Sequence, residues 1–121
     1  MRLELGHLPD RDLNPNKRLH PMQLYAAKRN AKEEAIALVL KQGKPAVPYE
    51  RATITITWVA KDKRRRDCDN LFAALKATID GLVEAGLIVD DSAMHVSYAL
   101  RYEHGDTNNT IIDVEECLTW R

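Results

Sequence analysis

From Arg51 to Ala60 the chain alternates strictly, Ile54, Ile56 and Trp58 on one side and Thr53, Thr55 and Thr57 on the other. That period of two predicts a strand with one buried face. Upstream, Leu24, Ala27, Ala31, Ala35 and Leu38 recur at helical spacing. Pro21 suits a first helical residue and Gly43 a C-terminal stop, which predicts a helix from Pro21 to Gln42. A second amphipathic helix is expected to open at Asp69, carry Leu71, Leu75, Ile79 and Leu82 towards the core, and end at Gly86. Met94, Val96, Tyr98, Leu100 and Tyr102 alternate again, and the polar stretch His104 to Asn109 reads as a hairpin loop into a strand from Thr110 to Leu118. Leu3, Leu5 and His7 give a short edge strand, followed by the turn clusters Leu8-Pro9-Asp10 and Asn14-Pro15-Asn16. The order β-α-β-α-β-β predicts an α+β fold in which two helices pack on one side of a mixed sheet.

Length fits one domain spanning 1–121, with 45% hydrophobic and 30% charged residues, enough to bury a core. No apolar run approaches the roughly 20 residues that cross a bilayer, so a soluble intracellular protein without a membrane partner is expected. The two cysteines, Cys68 and Cys117, have no zinc or disulfide spacing and read as ordinary thiols. His7, His20, His95 and His104 form no ligand pattern and read as surface or turn residues.

The net charge is zero but unevenly spread. Residues 1–66 hold 15 Lys/Arg against 7 Asp/Glu, and residues 67–121 hold 3 against 11. The boundary falls within Lys63-Arg64-Arg65-Arg66-Asp67-Cys68-Asp69-Asn70. Ion pairing between the halves is one explanation. The other is a basic surface for a polyanion beside carboxylates for a divalent metal, the combination that phosphodiester cleavage requires. Asp69 suits an N-cap, with Asp67 just outside the helix. Capping leaves Asp67 and the pair Asp90-Asp91 unexplained, and a hard dication would relieve the repulsion among the four. Asp69, Ala73, Lys76 and Asp80 fall on one helical stripe, so Lys76 either reaches a bound phosphate or pairs with Asp80 at i,i+4. Lys28, Arg29 and Lys32 form a basic face on the first helix, either solvated or touching DNA.

The stretch from Arg64 to Leu71, then Lys76, then Asp80-Gly81-Leu82 through Gly86 to Asp90-Asp91-Ser92 resembles the RusA family of Holliday junction resolvases over about thirty residues. Its pattern is a basic run, D-x-D-N, a helical lysine, D-A/G-L, a glycine turn and D-D. Leu8-Pro9, Asn14, Asn16 and Arg18 are similar to the family's N-terminal proline-asparagine-arginine segment, and Arg18 joins the candidate DNA contacts.

The resemblance implies Mg²⁺, or Mn²⁺ in its place, held by Asp67, Asp69 and Asp91, with Asp90 as a further donor. It makes Lys76 the essential lysine, although the family's best-known form places that lysine where this chain has Ala73. Counting back from Asp90-Asp91 reaches Lys76 instead, as if three residues were inserted early in the second helix. Lys63, Arg64, Arg65 and Arg66 would grip backbone phosphates. The implied activity is resolution of four-way junctions by paired nicks, by a homodimer, in the cytoplasm of a bacterial or phage-infected cell; family members are often phage- or prophage-encoded. Alternatives are a branched-DNA-binding protein of the same fold without catalysis, and an unrelated D-x-D phosphatase or transferase, which the basic flank disfavours.

Overall fold

In the computed structural model, which describes residues 1–118, the chain forms one mixed four-stranded sheet with helices on one face. The strands are β1 (Arg2–Glu4), β2 (Ala52–Ala60), β3 (Val96–His104) and β4 (Asn109–Glu116), and the helices are α1 (Pro21–Gln42), α2 (Cys68–Ala73) and α3 (Lys76–Glu84). The sheet order is β1-β4-β2-β3, with β2 parallel to β3 and antiparallel to β4. No described helix is long and apolar enough to cross a membrane.

The alternation in β2 does what period two requires: Ile54, Ile56 and Trp58 are fully buried against the helices, and Thr53, Thr55 and Thr57 lie half-buried on the opposite face. Helix α1 runs between the expected limits. His20 caps its first turn through Nδ1, which accepts the Met22 amide at 3.2 Å, and Gly43, at φ 93°, ends it. Ala27, Ala35 and Val39 are its buried residues. Where α1 crosses α3, Gly81 is needed for close approach, since a Cβ there would meet the Lys32 carbonyl oxygen at 2.6 Å and the Ala35 Cβ at 2.8 Å.

The structure corrects three expectations. First, β3 and β4 are not a paired hairpin. β2 lies between them, and the connection steps over the end of β2, where Gly105 N–H donates to Ala60 O at 3.0 Å and the Asn108 side chain accepts the Lys61 amide at 2.9 Å. Gly105 passes so close to Val59 that a Cβ would sit 2.6 Å from its Cγ1. Second, the second helix is broken. Leu75 adopts φ −94°, ψ 2°, and α3 restarts at Lys76. No glycine or proline lies in this stretch, and Ala74 and Leu75 at the break are both buried. Third, Asp67, not Asp69, occupies the N-cap position of α2, without a capping side-chain bond, and Asp69 sits in the first turn.

Helix α3 ends in a Schellman arrangement: Gly86, at φ 85°, donates to Val83 O at 3.0 Å, and Leu87 donates to Leu82 O at 3.1 Å. The chain then bridges to Tyr49 through Leu87 and Val89. That bridge fixes where Asp90 and Asp91 emerge.

Candidate functional site

Tyr98 and Tyr102 share the helix-side row of β3 with Ile54 and Trp58 of β2, their register partners. Four residues along a strand span about 13 Å. At one end, Tyr98 meets Phe72 of α2 edge-on, with centroids 4.8 Å apart. At the other, the Tyr102 hydroxyl accepts a hydrogen bond from Arg66 at 2.9 Å. The α2 turn carrying Asp67 and Asp69 therefore lies over β3 between two anchors, with Asp69 one helical turn ahead of Phe72.

Arg66 grips Asp62 with two parallel bonds at 2.8 and 3.0 Å and is 17% exposed. The Arg66 guanidinium, followed by the Arg64 amide, holds the Asp62 carboxyl well below the usual carboxylate range. Arg66 thus has its guanidinium engaged within its own loop, unlike its more exposed neighbours in the basic run. Arg65 is 87% exposed and reaches Asp67 at 3.1 Å, and Lys63 and Arg64 are exposed. Arg64, Arg65, Asp67 and Asn70 line a cleft of about 490 Å³ whose far wall is Pro9, Asp10 and Asn14.

The expected helical lysine and the D-D pair meet. The Lys76 ammonium donates to Asp80 Oδ1 at 2.7 Å and to Asp91 Oδ2 at 2.6 Å. Asp80, then Asp91, raise its pKa well above the ordinary lysine value. Of the two alternatives for Lys76, the i,i+4 pair with Asp80 is present, and the contact with Asp91 is a further one that the helical spacing did not offer. Burial pushes the Tyr98 phenol up to about 12, and the Asp91 carboxylate adds to the effect. Asp90 is held below its ordinary value by the Asp91 amide and, against slight desolvation, by the Ser92 hydroxyl. Asp69 is exposed, one oxygen accepting the Asn70 amide at 3.0 Å.

Asp67, Asp69, Asp90 and Asp91 are an all-oxygen donor set of the type that suits a hard dication, and all four reach solvent. They are not drawn into a ready-made cage: among the described residues no three His, Cys, Asp or Glu side chains converge at ligating distance. Asp91 turns instead to Lys76, and Asp67 to Arg65.

A second groove, of about 510 Å³, lies on the other side of the 13–17 segment, between α1 and the α2–α3 junction. Lys28, Arg29 and Lys32 line it together with Lys76 and Asp80, so the basic face of α1 adjoins the Lys76 cluster. Lys32 pairs with Glu84 at 2.5 Å, and Arg18 is exposed outside the groove. Sequence reasoning missed Tyr25 and Lys17, which also line this groove, and the Asp62–Arg66–Tyr102 clamp. An aromatic one turn before Arg29 was the available signal for Tyr25. Cys68 is exposed and Cys117 half-buried, both free thiols.

No family model matches the chain, and no curated protein is similar enough to match it.

Proposed function

We propose that the protein is a Mg²⁺-dependent, structure-selective endodeoxyribonuclease that cuts four-way junctions, acting in the cytoplasm. The observation that carries this reading is the meeting of Lys76 with Asp91 at 2.6 Å, at the start of the helix that follows the Asp67-capped α2. Residues 15 positions apart converge in the combination of cation and carboxylates that phosphodiester hydrolysis uses. The resemblance to the RusA family points the same way.

Asp67, Asp69 and Asp91, with Asp90, are the donors for Mg²⁺, or Mn²⁺ in its place, which when bound supplies an acidified water and polarises the phosphate. Lys76 offers N–H donors to a phosphate oxygen, and Asp80 keeps the ammonium in position if Asp91 turns away. Lys63, Arg64 and Arg65 hold backbone phosphates without reading sequence, while Arg66 braces the loop that presents them. One chain offers one such cluster, so two symmetric cuts call for a homodimer.

A second reading is a branched-DNA-binding protein without catalysis, favoured by the engagement of Asp91 with Lys76 and of Asp67 with Arg65. Nuclease assays in Mg²⁺ on the wild type, Asp69→Asn and Lys76→Met separate the two. Cutting by the wild type that both variants lose supports the enzyme, and binding with no cutting supports the alternative.

A further inference from the structure

The groove beside Lys76 is built from two kinds of surface. Leu13, Leu24, Ala73 and Ala77 give it an apolar floor. Its rim is cationic: Lys17 and Lys32 are held by Asp12 and Glu84, which leaves Lys28 and Arg29 as the rim cations without such a carboxylate among the described residues. Tyr25 stands on the same rim, 66% exposed, with the Arg29 guanidinium 5.9 Å from its ring centroid. A paired duplex turns only its sugar-phosphate backbone to a surface like this, and an apolar floor has nothing to offer it. A nucleotide out of the stack presents both an aromatic face and flanking phosphates.

We infer that this groove receives an unpaired nucleotide of branched DNA, its base stacked on Tyr25 over the apolar floor and its phosphates on Lys28 and Arg29. Lys76 lines the same groove, so the captured nucleotide lies next to the Lys76–Asp80–Asp91 cluster. The inference rests on the reading that the substrate is branched DNA, and it adds how a branch point is distinguished from plain duplex. Stacking supplies the selectivity, and the cations supply affinity for any DNA.

The test is binding of the full chain, in EDTA so that no strand is cut, to a four-way junction carrying 2-aminopurine at its branch point. A linear duplex of the same sequence is the reference. The wild type and Tyr25→Phe are expected to change the 2-aminopurine emission and bind the junction alike. Tyr25→Ala should lose the emission change and weaken junction binding roughly five- to a hundred-fold, with duplex binding unaltered. Lys28→Ala should weaken both substrates. Equal affinity and emission change in Tyr25→Ala overturn the inference. Because no cleavage is needed, failure of the nuclease reading shows separately, as a bound but intact junction in Mg²⁺. A wild type that binds no DNA overturns both.

Discussion

The Lys76 ammonium donates to Asp91 Oδ2 at 2.6 Å while also holding Asp80 at 2.7 Å, so a residue that opens α3 is tied to the turn that follows that helix. Lys76 is 65% exposed, and an ion pair so open to solvent contributes at most about 1 kcal/mol to stability. Its value lies in position. Lys76→Met is expected to lower cleavage by roughly 10²–10³-fold, the usual loss for one donor aimed at developing charge. Asp80→Asn, which leaves the Asp91 contact, should cost far less. Single-turnover rates, with urea melts showing both variants folded, check this ordering.

Arg64 and Arg66 are neighbours in the basic run with different work. Arg66→Ala removes the clamp on Asp62 and Tyr102 and should cost about 1–2 kcal/mol of stability. Arg64→Ala should leave stability within about 0.5 kcal/mol and reduce the salt dependence of DNA binding by about one phosphate contact. The clamp also has a pH signature. Asp62 has a folded pKa below its unfolded 3.8, so its contribution is present above that value and lost as pH falls through the folded pKa. Asp62→Asn should flatten the acid limb of a stability curve below about pH 4.

His7 ties the N-terminal segment to α1. Its Nδ1 faces the Leu8 carbonyl oxygen at 2.7 Å, and its Nε2 faces Glu34 at 2.8 Å. Two acceptors favour the doubly protonated ring. Desolvation opposes this, but the Leu8 carbonyl and the Glu34 carboxylate, with Asp10 beyond, outweigh it and raise the pKa above 6.5. The stabilisation is therefore complete below the unfolded pKa and lost as pH rises through the folded one. His7→Gln should abolish that part of the stability change, read by denaturant melts between about pH 6 and pH 9.

Gly81→Ala sets helix propensity against packing. Propensity alone favours alanine by about 1 kcal/mol. The Cβ would press on the Lys32 carbonyl and Ala35, so a net loss of about 1–3 kcal/mol is expected in urea unfolding.

The sequence revealed what rests on short-range periodicity. The β2 alternation and the Pro21–Gly43 frame of α1 fix those elements locally. The β3–β4 pairing was misread because a short polar turn between alternating segments looks the same whether the strands are adjacent or straddle a third; only Gly105, forced by Val59, marks the difference. The break at Leu75 was invisible because Phe72 to Lys76 are all compatible with a helix. It falls between Ala73 and Lys76, where two ways of counting to the lysine disagree. At the site, resemblance brought Lys76 and Asp91 together. The contacts of Tyr98 with Phe72 and of Tyr102 with Arg66 run across the chain, and no local pattern records them.

The most direct measurement is cleavage of a synthetic four-way junction beside a linear duplex of the same sequence, in Mg²⁺ and in EDTA, with Asp69→Asn as control. Paired symmetric nicks confined to the junction, absent in EDTA and in the variant, are the predicted result. A junction bound tightly but left intact in both Mg²⁺ and Mn²⁺, or nicked equally by Asp69→Asn, would contradict the account.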